Sequence, residues 1–359
     1  MAIIWQNKHY DPQSTSRCPY SLNGDTIGVK ALNGVLSDSF VINSNNDETM
    51  FLGTSTKTYA IDKNMDTTWS VSVPSTYLTL SDDGTILYSV YGDTITALDT
   101  SNGVANWIYT VPSTASAPWG NNGISIETPV IIGQNIGATT QNYLFIGTSE
   151  GWAKGPGAQR YFFLNWYKIN SNGDFNNKVN VFAVEDLTGS PISRPLMSKN
   201  AAINPDKTII YFGFYGYKEH SSYARSVSTT DLTLSTSIEY FPTGRIDPVG
   251  LTYLSPSQVY ISIQYSSLLG GLFKVDFSSE SVKWNHNTSN QVKVSPCAIS
   301  ENETIYYRDG KFLFSITDDG NSYTENWSYP YLSSLSNIGP IVGGSSLIYI
   351  PSLVTNGAP

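Results

Sequence analysis

The side chains best suited to nucleophilic, acid–base or metal chemistry are few and widely spaced in this chain. Its 359 residues include three histidines, His9, His220 and His286, and two cysteines, Cys18 and Cys297. The sequence contains no Cys-x-x-Cys-His segment for haem and no paired-cysteine spacing for zinc. Because the histidines are far apart, we expect neither a metal site nor a histidine-based triad. The two cysteines permit one disulfide, and two unpaired core thiols are equally compatible with the sequence.

Aromatic and charged side chains that could bind a partner are concentrated in three long segments between predicted strands. These segments, interpreted as loops, are Pro112 to Thr128, Gly147 to Tyr161 and Gly213 to Ala224. Further charged residues stand close to prolines that open predicted strands. The candidate binding residues are Trp119, Trp152, Arg160, Tyr215, Tyr217, His220, Arg194, Arg245 and Asp247. Aromatic and charged groups on one surface are typical of recognition sites. The alternative is a set of solvated loops that binds nothing.

An enzyme is the second interpretation of the same residues. Asp247, Arg194 and Arg245 could form a site that acts on a sugar or an alcohol, although carboxylates spaced for glycoside chemistry cannot be recognised across separate repeats. Two Asp-Gly pairs, at Asp83 and Asp319, resemble the Asp-boxes of sialidases, but their spacing fits hairpin turns instead. We therefore predict a non-catalytic binding or structural module with no metal and no cofactor.

A short apolar pattern repeated seven times predicts the elements that position these residues. Each copy is a turn followed by a polar residue and three or more β-branched, aromatic or other apolar residues, which favours a strand. Successive copies start between 36 and 66 residues apart, which brackets the span of one four-stranded sheet with its turns. The period predicts an all-β protein, a β-propeller. The copies start at Thr49, Thr85, Asn142, Thr208, Gln258, Thr304 and Ser346.

Prolines and tryptophans keep the same period. Since proline lacks a ladder donor and is tolerated at the first residue of a strand, five prolines mark strand starts, at Pro129, Pro195, Pro248, Pro296 and Pro340. Four tryptophans follow a turn in their repeats and are expected to pack between neighbouring sheets, namely Trp69, Trp107, Trp284 and Trp327. Trp119, Trp152 and Trp166 fall outside the repeat.

The number of innermost strands predicts the number of blades. Strands near Phe40, Tyr77 and the five prolines give seven four-stranded antiparallel blades in a single domain, residues 1–359. Residues 1–35 are the opening and closure segment, and residues 36–359 form the blades. The last blade has two strands before Pro359, so Ile3 to Trp5 is expected to complete it. Eight blades, with the long third repeat split in two, are the alternative.

Propeller geometry gives the candidate binding residues a common location. Loops between second and third strands share one face with the connections that lead into the innermost strands. We call this face the rim face and expect the three long segments and the charged strand starts to converge there.

The repeat also carries a family resemblance. The segments Ala60 to Trp69 and Ala97 to Trp107 resemble the repeat of PQQ-like, quinoprotein-type β-propellers, which include quinoprotein dehydrogenases and outer-membrane assembly scaffold lipoproteins. The opening Tyr10 to Tyr20 is similar to the DPQ-x-T-G-R-S-x-Y segment of bacterial PQQ-repeat proteins, with Ser16 replacing glycine and Cys18 replacing serine. A catalytic member would carry adjacent cysteines, a stacking tryptophan and calcium-holding residues. Since adjacent cysteines are absent and no segment matches the other features, the resemblance implies a non-catalytic member.

Composition narrows the class of partner. Charged residues make up 14% of the chain and the net charge is −9, with a pI near 4.8 and no basic run along a groove. These values disfavour nucleic acid and anionic membranes and leave a protein or a glycan as the expected partner. No segment is apolar and long enough to span a bilayer, and the N-terminus lacks a signal-peptide pattern. The excess of Ser, Thr, Asn and Tyr favours an extracellular, periplasmic or virion-surface location over the cytoplasm.

Overall fold

The secondary structure of the chain, as described by a computed structural model, is β throughout. No helix occurs in the described residues, and none of them forms a helix that could cross a membrane. The described residues are 36–43, 49–62, 64, 66–112, 121–135, 141–153, 160–186, 196–216, 221–241, 246–255, 257–265, 270–288, 294–295, 297–300, 303–309, 312–330, 341–342 and 348–349.

The first half of the described chain forms three antiparallel sheets in chain order. Sheet 1 has the strand order β1-β2-β3-β4 and sheet 2 the order β5-β6-β7-β8. Sheet 3 has the order β10-β11-β12-β13, and β9 also pairs with β11. The strands are β1 (Leu36–Asn43), β2 (Thr49–Thr54), β3 (Thr58–Ile61), β4 (Thr67–Val71), β5 (Tyr77–Leu80), β6 (Ile86–Tyr91), β7 (Thr94–Asp99), β8 (Ala105–Thr110), β9 (Asn121–Ile126), β10 (Ile131–Asn135), β11 (Gln141–Ala153), β12 (Arg160–Asn170) and β13 (Phe175–Asp186).

The second half continues the same arrangement. Sheet 4 has the order β14-β16-β17-β18 with β15 also paired to β16, sheets 5 and 6 have four strands each, and sheet 7 is described as the pair β27-β28. The strands are β14 (Leu196–Met197), β15 (Ala202–Ile203), β16 (Ile209–Gly216), β17 (Ser221–Ser228), β18 (Ile238–Phe241), β19 (Ile246–Ser255), β20 (Gln258–Tyr265), β21 (Gly270–Asp276), β22 (Ser281–Thr288), β23 (Ala298–Ile299), β24 (Thr304–Arg308), β25 (Phe312–Asp318), β26 (Tyr323–Pro330), β27 (Ile341–Val342) and β28 (Ile348–Tyr349).

The seven repeated apolar patterns lie in the second strand of their sheets. The copy at Thr49 opens β2 and the copy at Thr304 opens β24, and the other five lie at or near the starts of β6, β11, β16, β20 and β28. This part of the prediction is confirmed. The third repeat forms a single sheet, in which β9 and β10 pair with different halves of β11.

In sheets 2 and 6 the first strand is buried and the last strand is mostly exposed. All four residues of β5 are buried, whereas β26 is almost fully exposed along its length. Side chains alternate across the pleat, so both faces of the middle strands can carry apolar residues that pack on the two neighbouring sheets. Five apolar clusters accordingly lie between successive sheets, from sheets 1 and 2 to sheets 5 and 6.

Tryptophans of the repeat pack between neighbouring sheets, as predicted for Trp69, Trp107 and Trp284. Trp69 and Trp107 also donate their indole N–H to a carbonyl oxygen in the turn between the third and fourth strands of the next sheet. Trp284 donates to the carboxylate of Asp318 at the end of the third strand of the next sheet. Trp327 is 41% exposed and packs on Tyr306, with ring centroids 6.0 Å apart. Trp166, which the repeat does not predict, is fully buried between sheets 3 and 4.

The two Asp-Gly pairs lie in turns, as predicted, whereas the strand start predicted at Pro248 is wrong. The Asp83 pair forms the turn between β5 and β6, where Gly84 has a φ of 72°, and the Asp319 pair lies in the turn before β26. Strand β27 starts directly after Pro340 and β14 directly after Pro195. Pro248 instead lies inside β19, which begins at Ile246, and the register shifts between Pro248 and Gly250. A bulge accommodates the proline, because the displaced ladder does not require its missing donor.

Candidate functional site

The structure describes four of the nine predicted binding residues. Trp119, Arg194, Tyr217, His220 and Arg245 lie outside the described residues, as do Cys18 and the segment from Ile3 to Trp5. The backbones of Trp152, Arg160 and Asp247 are placed in β11, β12 and β19. Tyr215 is the one predicted residue whose side chain is described. The predicted convergence of these side chains on one face, and the enzyme interpretation that needs Arg194 and Arg245, therefore remain predictions.

Two of the three predicted loops are largely strand, which is a correction. Residues 147–153 continue β11 and residues 160–161 begin β12, so that Trp152 pairs with Tyr161. Residues 213–216 continue β16 and residues 221–224 begin β17. Tyr215 is only 1% exposed and pairs with Leu196, so its side chain belongs to the core. The aromatic residues interpreted as loop decoration continue the strand alternation instead, because their strands extend past the repeat length.

Sheet 3 projects beyond sheet 2 on the rim face. The turn between β6 and β7 ends sheet 2 there, and the carbonyl oxygen of Gly92 in this turn accepts a hydrogen bond of 2.8 Å from the N–H of Ile126. Ile126 pairs with Thr148, and β11 continues from there to Ala153. At a rise of about 3.3 Å per residue, these five further residues extend roughly 17 Å. We call the part of sheet 3 formed by residues 121–126, 148–153, 160–165 and 180–186 the projection.

A buried carboxylate organises the base of the projection. Glu150 is 3% exposed, and its Oε1 accepts hydrogen bonds of 2.7 Å from Asn165 Nδ2 and of 2.7 Å from the Tyr167 hydroxyl. Burial, together with this contact, raises the pKa of Tyr167 well above its usual value. Charge-assisted bonds of this kind fix the relative positions of β11 and β12. Tyr109 in sheet 2 belongs to the apolar cluster between sheets 2 and 3, and its buried hydroxyl has no hydrogen-bond partner among the described residues.

A pocket of about 350 Å³ opens beside the projection, at the boundary between sheets 1 and 2. Val73 and Pro74, from the connection between β4 and β5, form one wall. The face of sheet 2 that is turned toward sheet 1 forms the other. The lining residues are Val73, Pro74, Ser89, Tyr91, Gly92, Asp93, Thr94 and Thr96.

The pocket exists because the face of sheet 2 that is turned toward sheet 1 changes from large apolar to small polar residues toward the rim face. Leu87 and Leu98 pair across β6 and β7 in the core, with 0% exposure. The next pair on the same face is Ser89 with Thr96. Serine and threonine fill less volume than two leucines, so the two sheets separate above the core and leave space.

Hydroxyl and carboxylate groups in the pocket have unused hydrogen-bonding capacity. Thr96 is 7% exposed, and its hydroxyl forms no hydrogen bond with any described residue. Ser89 Oγ donates to the carbonyl oxygen of Pro74 over 3.2 Å, which leaves its lone pairs available. Asp93 Oδ1 accepts a hydrogen bond of 3.0 Å from Thr94 Oγ1, and none of the described residues forms an ion pair with Asp93. Tyr91, at the mouth, is 48% exposed.

Other polar clusters in the described residues have structural roles. His286 Nδ1 lies within hydrogen-bond distance of the Tyr307 hydroxyl, and its Nε2 is 3.0 Å from Glu325 Oε2, which ties sheet 5 to sheet 6. Tyr307 is fully buried, so a substrate has no access to it. Cys297 is also fully buried, and burial raises the pKa of its thiol to about 12. No group of three or more His, Cys, Asp or Glu side chains that could hold a metal ion is found in the described part of the chain.

Sequence reasoning missed the pocket because its residues lie in a short hairpin rather than a long segment. Tyr91, Gly92, Asp93 and Thr94 form a turn of ordinary length between β6 and β7. One signal was present: the repeat at Thr85 continues with Ser89, where a strand buried on both faces would carry an apolar residue.

Comparison with solved structures places the chain among β-propeller proteins. BamB from Moraxella catarrhalis matches 93% of this chain and 95% of its own, with 11% identity and a TM-score of 0.52. Kuenenia stuttgartiensis hydrazine synthase matches 93% of this chain and 99% of the compared chain, with 10% identity and a TM-score of 0.50. The structure of U3-55K matches 88% of each chain, with 9% identity and a TM-score of 0.50. At these identities the comparisons establish the fold alone.

No protein-family model matches the chain, and no curated protein matches it. The fold is therefore shown by the sheets and by the solved structures, and the function must be argued from the rim face itself.

Proposed function

We propose that the protein is a non-catalytic propeller module that holds a protein or a glycan on its rim face. The observation that carries the proposal is the pairing of the projection with the pocket beside it. The projection raises the four-stranded end of sheet 3 above the neighbouring turn, and the pocket lies next to that turn. A concave site beside a raised wall can bury more of a partner than a flat surface can. Trp152 and Arg160 lie in the hairpin of the projection and are proposed to contact the partner.

The proposal includes a specific architecture. We infer seven blades in one domain of residues 1–359, with residues 1–35 closing the ring and Ile3 to Trp5 completing the last blade. The seven sheets found among the described residues support this count. The inference that the chain is a divergent relative of the PQQ-like repeat proteins is supported by its Ala-Ile-Asp and Ala-Leu-Asp segments with their following tryptophans. Fold analogy by itself is a weak argument for function, so the rim face carries the proposal.

A capture experiment with two matched substitutions that each introduce a negative charge tests the proposal. Immobilised full-length protein is incubated with native material, and bound proteins and glycans are identified by mass spectrometry. Ala183 is exposed and lies opposite Phe163 in the projection, so Ala183→Glu places a charge on the projection at little cost to the fold. Val104 is 61% exposed in the turn between β7 and β8 at the opposite end of sheet 2, so Val104→Glu is the control.

We expect a partner that the parent protein and Val104→Glu both retain and that Ala183→Glu loses. Melting curves establish that both variants remain folded. Equal capture by all three proteins would contradict binding at the rim face, and turnover of a captured sugar or alcohol would favour an enzyme instead.

A further inference from the structure

We propose that the pocket between sheets 1 and 2 binds one pyranose ring of a neutral glycan. The inference rests on the proposed function and names the ligand class for one part of the rim face. It is carried by the pocket residues Ser89, Tyr91, Asp93, Thr94 and Thr96.

The size of the pocket fits a ring rather than an ion or a long peptide. Its volume of about 350 Å³ falls at the lower end of the roughly 300–1,000 Å³ that ligand pockets span. The pairing of β6 with β7 fixes its floor: Ser89 lies opposite Thr96, and Tyr91 lies opposite Thr94. These four side chains form a grid on one rigid sheet face, which holds them in place before a ligand arrives.

The hydroxyl of Thr96 supports a ligand that both donates and accepts hydrogen bonds. Thr96 is 7% exposed and lines the pocket, and its hydroxyl forms no hydrogen bond with a described residue. This oxygen is not among the fully enclosed polar atoms that lack a partner, so it opens into the pocket, where water or a ligand can reach it. A ligand group that donates and accepts at once satisfies it, and that is the property of a sugar hydroxyl.

Tyr91 and Asp93 complete the pattern that a sugar requires. The exposed ring of Tyr91 at the mouth offers an apolar face, on which the C–H face of a pyranose can pack. The Asp93 carboxylate accepts hydrogen bonds only, so two neighbouring sugar hydroxyls can donate to it. Val73 and Pro74 supply an apolar wall on the other side. One face for stacking and one edge of donors and acceptors match the amphipathic shape of a sugar ring.

A cationic ligand is the main competitor, because a carboxylate and an aromatic ring also attract an ammonium group. An ammonium group, whether primary or quaternary, offers no hydrogen-bond acceptor and therefore leaves the donor of Thr96 without one. A simple anion is disfavoured by Asp93 and by the protein's net charge of −9. The hydroxyl-rich lining therefore favours the neutral sugar.

Saturation-transfer NMR with the full-length protein tests the proposal. The probes are the methyl pyranosides of glucose, galactose, mannose and N-acetylglucosamine, with choline as the cationic probe. The variants are Thr96→Val, which replaces the hydroxyl by a methyl group of similar size, and Tyr91→Ala. Tyr329→Ala is the control, since Tyr329 is a 63% exposed tyrosine in the outer strand of sheet 6.

We expect at least one pyranoside to bind saturably, with affinity reduced about tenfold by Thr96→Val and by Tyr91→Ala but unchanged by Tyr329→Ala. Binding of choline alone, binding of no probe, or pyranoside binding that is insensitive to Thr96→Val would each overturn the proposal. The proposed function is tested separately by the capture experiment. It is contradicted if Ala183→Glu captures the same partners as the parent protein, whether or not a pyranoside binds in the NMR experiment.

Discussion

The indole Nε1 of Trp69 donates a hydrogen bond of 2.9 Å to the carbonyl oxygen of Thr100 in the following sheet. Trp107 forms the equivalent bond of 3.1 Å with Ser171, again in the turn between third and fourth strands of the next sheet. Lys168 joins sheets 3 and 4, where its Nζ donates to the carbonyl oxygen of Thr229 over 2.9 Å, but it lies in the third strand of its sheet rather than the fourth. Trp69 and Trp107 thus join their sheets to the next sheet from one repeated position, and Lys168 makes a comparable contact from a different strand.

Removing a buried tryptophan of this series should unfold the protein more readily than removing an exposed one. Trp284 is 6% exposed and donates to Asp318 Oδ1, so Trp284→Ala removes packing and a hydrogen bond together. We expect a loss of about 3–5 kcal/mol in the free energy of unfolding. Trp327→Ala, at 41% exposure, should cost about 1 kcal/mol. Urea denaturation measures both losses. Equal losses would show that Trp327 is buried to the same extent as Trp284.

A methyl group at Gly103 should disrupt the contact between sheets 1 and 2. Gly103 has a φ of 73°, and an added Cβ would lie 2.7 Å from Trp69 Cε3. Gly92 has a similar φ of 63°, but a Cβ there meets nothing within 4 Å. Gly92→Ala should therefore cost only the backbone strain of about 1–2 kcal/mol, and Gly103→Ala should cost clearly more. Thermal unfolding of the two variants compares them, and equal melting temperatures would contradict the tight contact with Trp69.

Replacing Thr96 by valine should change the free energy of unfolding of the unliganded protein by less than about 0.5 kcal/mol, because the Thr96 hydroxyl opens into the pocket and forms no hydrogen bond with a described residue. Thr79 is the matched control, since it is 3% exposed and its hydroxyl donates to the carbonyl oxygen of Val130 over 2.9 Å. Thr79→Val should lower the free energy of unfolding by about 1–3 kcal/mol, because it leaves a buried carbonyl without that donor. Urea denaturation distinguishes the two, and destabilisation by Thr96→Val would mean that its hydroxyl has a partner.

Two tyrosines in the apolar cluster between sheets 2 and 3, Tyr167 and Tyr109, should respond differently to loss of their hydroxyls. The Tyr167 hydroxyl donates to Glu150 over 2.7 Å, so Tyr167→Phe should cost about 1.5–3 kcal/mol. The Tyr109 hydroxyl has no partner among the described residues, so Tyr109→Phe should be neutral or stabilising. Denaturation midpoints at neutral pH test the pair. A large loss with Tyr109→Phe would place a partner for its hydroxyl outside the described residues.

Stability should decline at alkaline pH through Tyr88. Burial, with smaller effects of Asp83 and Asp82, raises the pKa of Tyr88 to about 12, against about 10 in the unfolded chain. The folded state therefore holds the phenol proton more tightly. This contribution is fully present below pH 10 and is lost as the pH rises toward 12. Over this range the parent protein should lose about 2–3 kcal/mol of its free energy of unfolding through Tyr88, and the Tyr88→Phe variant should not show this loss. Urea denaturation across this range checks it, and parallel pH profiles for parent and variant would contradict it.

The strand pattern of this protein was predictable from its sequence because strand formation depends on local alternation. The seven copies beginning at Thr49 identify the second strands of the seven sheets, and Trp69 and Trp107 identify contacts between sheets, since both features recur at one place in the repeat. The lengths of strands in the middle repeats were not predictable. Glycines such as Gly147 and Gly151 favour a loop locally, yet both lie inside β11, where pairing with β12 stabilises an extended backbone.

The sequence by itself determined the all-β repeat, the positions of its second strands and three of the tryptophans that pack between sheets, Trp69, Trp107 and Trp284. Only the tertiary structure decided that Tyr215 is buried and that the end of sheet 3 stands above sheet 2. It also decided that Ser89, Thr96 and Pro74 meet around a pocket. The physical reason is the distance along the chain over which the interactions act. The alternation of apolar and polar residues in a strand involves neighbours in sequence, whereas a pocket depends on how far two sheets separate. That separation follows from the side-chain volumes of residues that approach each other only after folding.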